Sequence, residues 1–87
     1  MNQETVNFYG DELIVIPTDQ GPQVAIKPIC DGIGVDSWHQ QQRALNDPAL
    51  NCRQLAAVAA DGKTREMLCI PLDRVQAFIN GISIEVN

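Results

Sequence analysis

The side chains best suited to acid–base or nucleophilic chemistry are few and scattered along the sequence. The only histidine, His39, has no cysteine within four residues, so it lacks the clustered partners that a metal site needs. Ser37 lies two residues before His39, but a hydroxyl at that position is better used to cap a helix than to attack a substrate. We therefore expect no metal site, no cofactor and no enzymatic activity.

Two glycine-containing segments do not match nucleotide-binding loops. Gly32-Ile33-Gly34 lacks the GxGxxG spacing and follows a short predicted helix instead of a strand. Asp61-Gly62-Lys63-Thr64 lacks the upstream glycine of a phosphate-binding loop and is explained by a hairpin turn. Neither segment predicts a nucleotide site.

Polar and basic side chains on two predicted elements could instead bind nucleic acid. The predicted helix Ser37–Leu45 carries glutamine and arginine, which can hydrogen-bond to adenine and guanine edges. Three basic residues on a predicted hairpin could contact phosphate or an acidic partner. The candidate nucleic-acid-binding residues are His39, Gln40, Gln42, Arg43, Arg53, Lys63 and Arg65.

Acidic residues are concentrated in the first third of the chain. Residues 1–36 hold six acids and one base, whereas residues 37–87 hold five of each. The resulting net charge of -5 excludes a basic arm that coats nucleic acid and suits a basic protein partner. The candidate protein-binding residues are Asp11, Glu12, Asp19, Asp31 and Asp36.

The 87 residues predict one small α+β domain, 1–87, which opens with an antiparallel meander. Short strand-like runs lie at Asn7–Tyr9, Leu13–Pro17 and Gln23–Ile26. Turn residues separate them at Gly10-Asp11 and at Thr18–Pro22.

Two short helices are predicted to follow. Pro28 suits the first position of a helix that ends at Ile33, where Gly34 accepts the left-handed geometry of a helix end. Ser37 with Gln40 forms the capping-box pattern of the second helix. Trp38 and Leu45, seven residues apart, are predicted to form the buried stripe of that helix.

A β-hairpin and a C-terminal helix complete the predicted fold. Asp61-Gly62 joins two apolar-bearing runs, Cys52–Ala60 and Lys63–Ile70. A two-residue loop would pair Val58 with Arg65, and a three-residue loop would shift the pairing by one; the sequence leaves both open.

The last helix is predicted to start at Pro71 and to end at Gly81. The alternating segment Ile82–Val86 predicts a strand or extended tail, which could pair with a second copy in a homodimer. The predicted core consists of Leu13, Val15, Ile26, Ile29, Ile33, Trp38, Leu45, Leu68, Ile70, Leu72, Val75, Phe78 and Ile79.

The cysteine pattern and the chain ends predict a cytoplasmic location. Cys30, Cys52 and Cys69 are odd in number and lack CxxC spacing, which is typical of free, mostly buried thiols in a reducing compartment. We see neither a signal-peptide pattern nor an apolar run of about 20 residues, so we expect no membrane partner.

Three segments, in the same order along the chain, resemble the N-terminal domain of phage antirepressor proteins. That domain is similar to the N-terminal domain of the baculovirus BRO proteins. The three segments read FYGDEL at Phe8–Leu13, VAIKPICDGIGVD at Val24–Asp36 and VAADGKTREMLCIPL at Val58–Leu72. Ile79-Asn80 matches the end of the family's last helix, so the resemblance spans residues 6 to 82.

The resemblance implies a regulator of phage lysogeny in the bacterial host cell. Such a protein relieves repression by binding the phage repressor, which then no longer holds its operator, and it has no enzymatic activity. Family members usually carry a second, C-terminal domain. The BRO-type relatives are associated with DNA binding, which is the alternative function.

Overall fold

The computed structural model describes residues 4–8, 11–59 and 61–82, which form a five-stranded antiparallel sheet and three α-helices. Three strands come first, followed by two helices, a hairpin and a C-terminal helix. These are β1 (Glu4–Phe8), β2 (Asp11–Thr18), β3 (Gly21–Ala25), α1 (Ile26–Ile33), α2 (Ser37–Leu45), β4 (Arg53–Val58), β5 (Thr64–Pro71) and α3 (Val75–Asn80). The predicted α+β class and this order of elements are confirmed.

The sheet has the strand order β1-β2-β3-β5-β4, so the short strand β3 lies at its centre. Val24 of β3 pairs with Val15 on one side and with Ile70 on the other. β3 ends at Ala25, and the chain continues directly into α1, which packs against both β2 and β5. As a result, α1 fills the space between the two hairpins where β3 has stopped.

The register of the β4–β5 hairpin resolves the alternative that the sequence left open. Val58 pairs with Thr64 and Ala57 with Arg65, which is the pairing shifted by one residue. The Ala59 N–H donates to the Lys63 carbonyl at 2.8 Å and closes the hairpin. This register puts Arg65, Met67 and Cys69 on one face of the sheet and Leu68 and Ile70 on the other.

Helix α1 begins at Ile26, two residues before the predicted start at Pro28. Pro28 is still within the first turn, where a backbone N–H has no partner inside the helix, so the ring is tolerated there. The predicted end is confirmed: Gly34 has φ 90°, and its N–H donates to the Cys30 carbonyl at 2.8 Å.

The prediction of a Ser37 capping box for α2 is wrong. The N-cap is Asp36, whose carboxylate accepts hydrogen bonds from the N–H groups of Trp38, at 3.0 Å, and His39, at 3.5 Å. The side chain of Gln40, the other member of the predicted box, points to Arg43 instead. The carboxylate of Asp36 therefore caps the helix, instead of the Ser37 hydroxyl that we predicted.

The main core lies between the sheet and the helices, and most of its predicted members are confirmed. Ile33, Val75 and Ile79 are half-buried against it. The fully confirmed members are Leu13, Val15, Ile26, Ile29, Leu68, Ile70 and Phe78. A smaller cluster on the opposite sheet face contains Ile14, Ile16, Ala25, Ala57 and Cys69.

Three predicted core residues are exposed instead. Trp38 exposes 68%, Leu45 52% and Leu72 48% of its surface. Leu72 belongs to a 3₁₀ turn, Leu72–Arg74, which connects β5 to α3, so the predicted single helix from Pro71 is two elements.

The three cysteines are free, as predicted. Of the predicted turn at Gly10-Asp11, Gly10 lies outside the described residues, and Asp11 is the first residue of β2. The part of the predicted final strand beyond Ile82 also lies outside them, and Ile82 is itself buried in the main core.

Candidate binding surfaces

The outward side of α2 carries an exposed apolar surface, which we call the Trp38 surface. It consists of Trp38, Gln42 and Leu45, which lie at helical spacing on one face and are all exposed. Trp38 and Leu45 are separated by two turns, or about 10 Å along the helix axis. Such an arrangement can contact a partner without any rearrangement of the core.

The inward side of α2 is held by a small residue and a polar network. Ala44 is buried in the main core, and its small size lets α2 lie close to its neighbours. Arg43 Nε donates to Gln40 Oε1 at 2.8 Å, and Arg43 Nη2 donates to the Phe78 carbonyl at 2.9 Å. The guanidinium carbon also lies 5.0 Å from the centroid of the Phe78 ring. These contacts fix the rotation of α2 and thereby turn Trp38 outward.

This rotation of α2 determines which of the candidate nucleic-acid-binding residues are exposed to solvent. Gln40 is only 8% exposed, and Arg43 is hydrogen-bonded to Phe78. The prediction that both side chains face outward is therefore wrong. His39 and Gln42 are exposed. On α2, therefore, only two of the four predicted base-reading residues face solvent.

The three basic candidates on the hairpin lie at different places along it. Arg53, at the start of β4, donates to Gln20 Oε1 at 3.0 Å. Lys63 is in the turn, and Arg65, at the start of β5, is paired with the Asp61 carboxylate. Because Arg53 pairs with Cys69 while Arg65 pairs with Ala57, the two arginines lie roughly 13 Å apart along the strands.

An open groove with a volume of about 770 Å³ lies between the two hairpins, on the outer side of α1. One wall comes from β1 and β2, the other from the β4–β5 hairpin, and α1 provides the floor. Its lining residues include Thr5, Glu12, Ile14, Lys27, Pro28, Asp31, Asp61, Arg65 and Met67.

Most charges in the groove are paired with one another. Lys27 Nζ lies 3.0 Å from Asp31 Oδ2 within α1. Arg65 pairs with Asp61. A hydrogen bond from the Lys63 N–H, together with Arg65, lowers the pKa of Asp61 below its usual value. The remaining charged lining residue is Glu12, so the groove carries a small excess of negative charge.

The five candidate protein-binding acids are not gathered on one surface. Glu12 and Asp31 line the groove, whereas Asp19 lies in the turn after β2, roughly 20 Å along the strand from Glu12. Asp36 is committed to the N-cap of α2. The structure describes the backbone of Asp11 in β2 but not its side chain.

The sequence analysis did not identify Trp38 as a surface residue, because α2 has two faces that could each pack against the core. Trp38 and Leu45 form the more apolar one, and Gln40 with Ala44 forms the other. The signal that distinguishes them is Asp36 as the N-cap together with the small Ala44, which permits close helix packing. Asp61, predicted only as a turn residue, was missed as a lining residue of the groove.

The buried thiols are poor nucleophiles. Burial, with a smaller contribution from Asp31, raises the pKa of Cys30 to about 11. Burial also raises the pKa of Cys69 to about 11 and raises that of Cys52. At neutral pH all three are protonated, and the thiolate is the reactive form.

The described ranges hold neither a cluster of metal ligands nor a membrane-spanning helix. Among these residues, His, Cys, Asp and Glu side chains do not assemble into a group of three or more that could hold a metal ion. None of the helices in the same ranges is long and apolar enough to cross a bilayer.

Comparison with known proteins assigns the chain to a family. No curated protein and no solved structure matches it. A family model described as the P22_AR N-terminal domain matches residues 4–86, which include all the described strands and helices. The chain therefore belongs to the P22_AR N-terminal domain family, the N-terminal domain of phage antirepressors.

Proposed function

We propose that this domain acts in antirepression by binding a phage repressor protein, so that the repressor releases its operator. The observation that carries the proposal is the family match over residues 4–86. The net charge of -5 supports it, because an acidic domain attracts the basic surface with which a repressor binds DNA.

The positions of the basic side chains favour a protein partner over a duplex. Lys27 and Arg65 are each paired with a carboxylate of the same chain, and Arg43 is turned onto Phe78. DNA is bound chiefly through cations that neutralise phosphates. The domain therefore has few cations to offer a duplex, and DNA binding of the BRO type is the alternative that the test must exclude.

We also propose that the domain acts by stoichiometric binding without turnover. Burial raises the pKa of Cys30 and Cys69 to about 11, which disfavours these two thiols as nucleophiles at neutral pH. Release of the operator then depends on the amount of domain added and on its affinity for the repressor, not on time.

The test uses the repressor and operator from the genome that encodes this chain. The domain is titrated into repressor bound to fluorescently labelled operator, and the anisotropy of the DNA is followed. We expect the anisotropy to fall to that of unbound DNA at stoichiometric amounts of domain, with calorimetry showing direct binding to the repressor.

A matched titration adds the domain to the labelled operator alone and to random DNA at low salt. Unchanged anisotropy in this control, with release in the first titration, supports repressor binding. If the repressor stays on its operator and calorimetry shows no heat, repressor binding is excluded. A rise in anisotropy with DNA alone supports the BRO-type alternative.

A further inference from the structure

We propose that the Trp38 surface is the docking site for the repressor and that it receives a segment with an apolar side chain flanked by lysine or arginine. This inference rests on the proposed function. Of the protein-binding acids predicted from the sequence, only Asp36 lies beside this surface, which centres on a residue predicted to be buried.

The exposure of Trp38 is the first observation. The side chain is 68% exposed, and Leu45, two turns away on the same face, is 52% exposed. Neither residue is part of a core cluster, so the fold does not require an apolar side chain at either position. Tryptophan at the centre of a docking surface contributes more binding energy than most other residue types.

The charges around the surface are the second observation, and they indicate what the partner carries. Asp36 precedes α2 and Asp47 follows it, so a carboxylate lies near each end of the apolar pair. The single arginine of α2, Arg43, points away from this side toward Phe78. A partner with a cation on each side of its apolar side chain would complement this pattern.

The same charges disfavour a second copy of the chain as the occupant. Two α2 helices related by a two-fold axis would bring Asp36 close to Asp47 of the other copy if antiparallel, and close to its equivalent if parallel. Either arrangement places like charges together, which is unfavourable. A DNA phosphate would meet the same two carboxylates.

The groove between the hairpins is less suited to a basic partner. Two of its three carboxylates, Asp31 and Asp61, are already paired with Lys27 and Arg65, which leaves Glu12 to attract a cation. Asp36 and Asp47 accept hydrogen bonds only from backbone N–H groups in the described part of the chain, so their charge is not neutralised by a cation.

The first experiment repeats the operator-release titration with variants. Trp38→Ala should raise the concentration needed for release by at least about tenfold. Asp36→Asn and Asp47→Asn should each raise it several-fold at low salt and less at high salt, because asparagine retains the cap while the charge is removed. Leu72→Ala removes another exposed apolar residue, which lies outside this surface, and should leave release unchanged. Release by Trp38→Ala at the wild-type concentration would overturn the proposal.

The second experiment does not depend on the repressor. Trp38 is the only tryptophan, so its emission reports directly on this surface. The probe is a synthetic helical peptide with one leucine flanked by arginines. We expect a blue shift and protection from acrylamide quenching, both absent when glutamates replace the arginines.

These two experiments separate the possible failures. If the wild-type domain does not release the repressor but the arginine peptide shifts the Trp38 emission, the proposed function fails and the surface chemistry stands. If neither peptide, or both equally, shifts the emission, the proposed partner chemistry is overturned. A blue shift that grows with domain concentration alone would identify a second copy as the occupant.

Discussion

Arg43 binds Phe78 in two ways at once: its Nη2 donates to the Phe78 carbonyl at 2.9 Å, and its guanidinium lies 5.0 Å from the ring centroid. Phe78 is itself fully buried. The pair joins α2 to α3 across 35 residues of sequence. It therefore holds the two helices in a fixed relation and determines which side of α2 faces solvent.

Arg43→Ala should lower the free energy of unfolding by about 2 kcal/mol, because a charge-assisted hydrogen bond and a cation–π contact are lost together. Arg43→Lys keeps the charge but not the planar geometry, and it should recover only part of this loss. Urea denaturation followed by circular dichroism measures both. Unchanged stability, combined with weaker binding to DNA, would instead indicate that Arg43 contacts a duplex.

Trp38→Ala should change the free energy of unfolding by no more than about 0.5 kcal/mol, since exposed positions outside caps and networks contribute little. Phe78→Ala should lower it by about 3–5 kcal/mol, because a large buried side chain leaves a cavity. The same denaturation experiment compares them. A comparable loss in both variants would mean that Trp38 belongs to the core in solution.

The sequence predicts the fold well where glycine, proline and alternating apolar residues act locally. Gly34 ends α1 as predicted, and the apolar runs of β2 and β3 form strands that bury side chains on both faces of the sheet. The register of the β4–β5 hairpin could not be chosen, since both loop lengths suit Asp61-Gly62.

The rotation of α2 could not be predicted either, because it depends on contacts distant in sequence. Arg43 reaches Phe78, and Ala44 allows close packing, but neither partner is visible in the pattern of α2 itself. For this reason the sequence placed Trp38 inside and Gln40 outside. The groove was also missed, because its walls come from two hairpins that are brought together only by the sheet.

Gly34→Ala should lower the free energy of unfolding by about 1–2 kcal/mol, because its φ of 90° is costly for any residue with a Cβ. Gly34→Asn should cost less, since asparagine tolerates the left-handed region better. Thermal denaturation of the two variants provides the comparison. Equal stability of wild type and Gly34→Ala would show that α1 ends differently in solution.

The free energy of unfolding should decrease as the pH rises from about 9 to about 11. Burial raises the pKa of Cys30 and Cys69 from 9.0 to about 11, so the folded state keeps these thiols protonated when the unfolded chain has begun to ionise. The contribution of these two thiols to the free energy of unfolding is fully present below pH 9. It is lost as the pH rises past the pKa values that the thiols have in the folded state. Denaturation at several pH values measures the slope.

The matched control is the Cys30→Ala, Cys69→Ala double variant, whose slope over the same pH range should be smaller. An identical slope would show that other groups cause the decrease. In the wild-type domain, the half-buried Cys52 should react with a thiol reagent before Cys30 and Cys69 do.

The interior position of β5 in the sheet has a consequence for biosynthesis. β5 is the last strand of the sheet in chain order, yet it lies between β3 and β4. β3 therefore emerges from the ribosome without its second neighbour and acquires it only after Pro71 has been translated, since Gln23 pairs with Pro71. A nascent chain halted before this point would leave one edge of β3 unpaired, and we expect such a chain to be a substrate for chaperones or proteases.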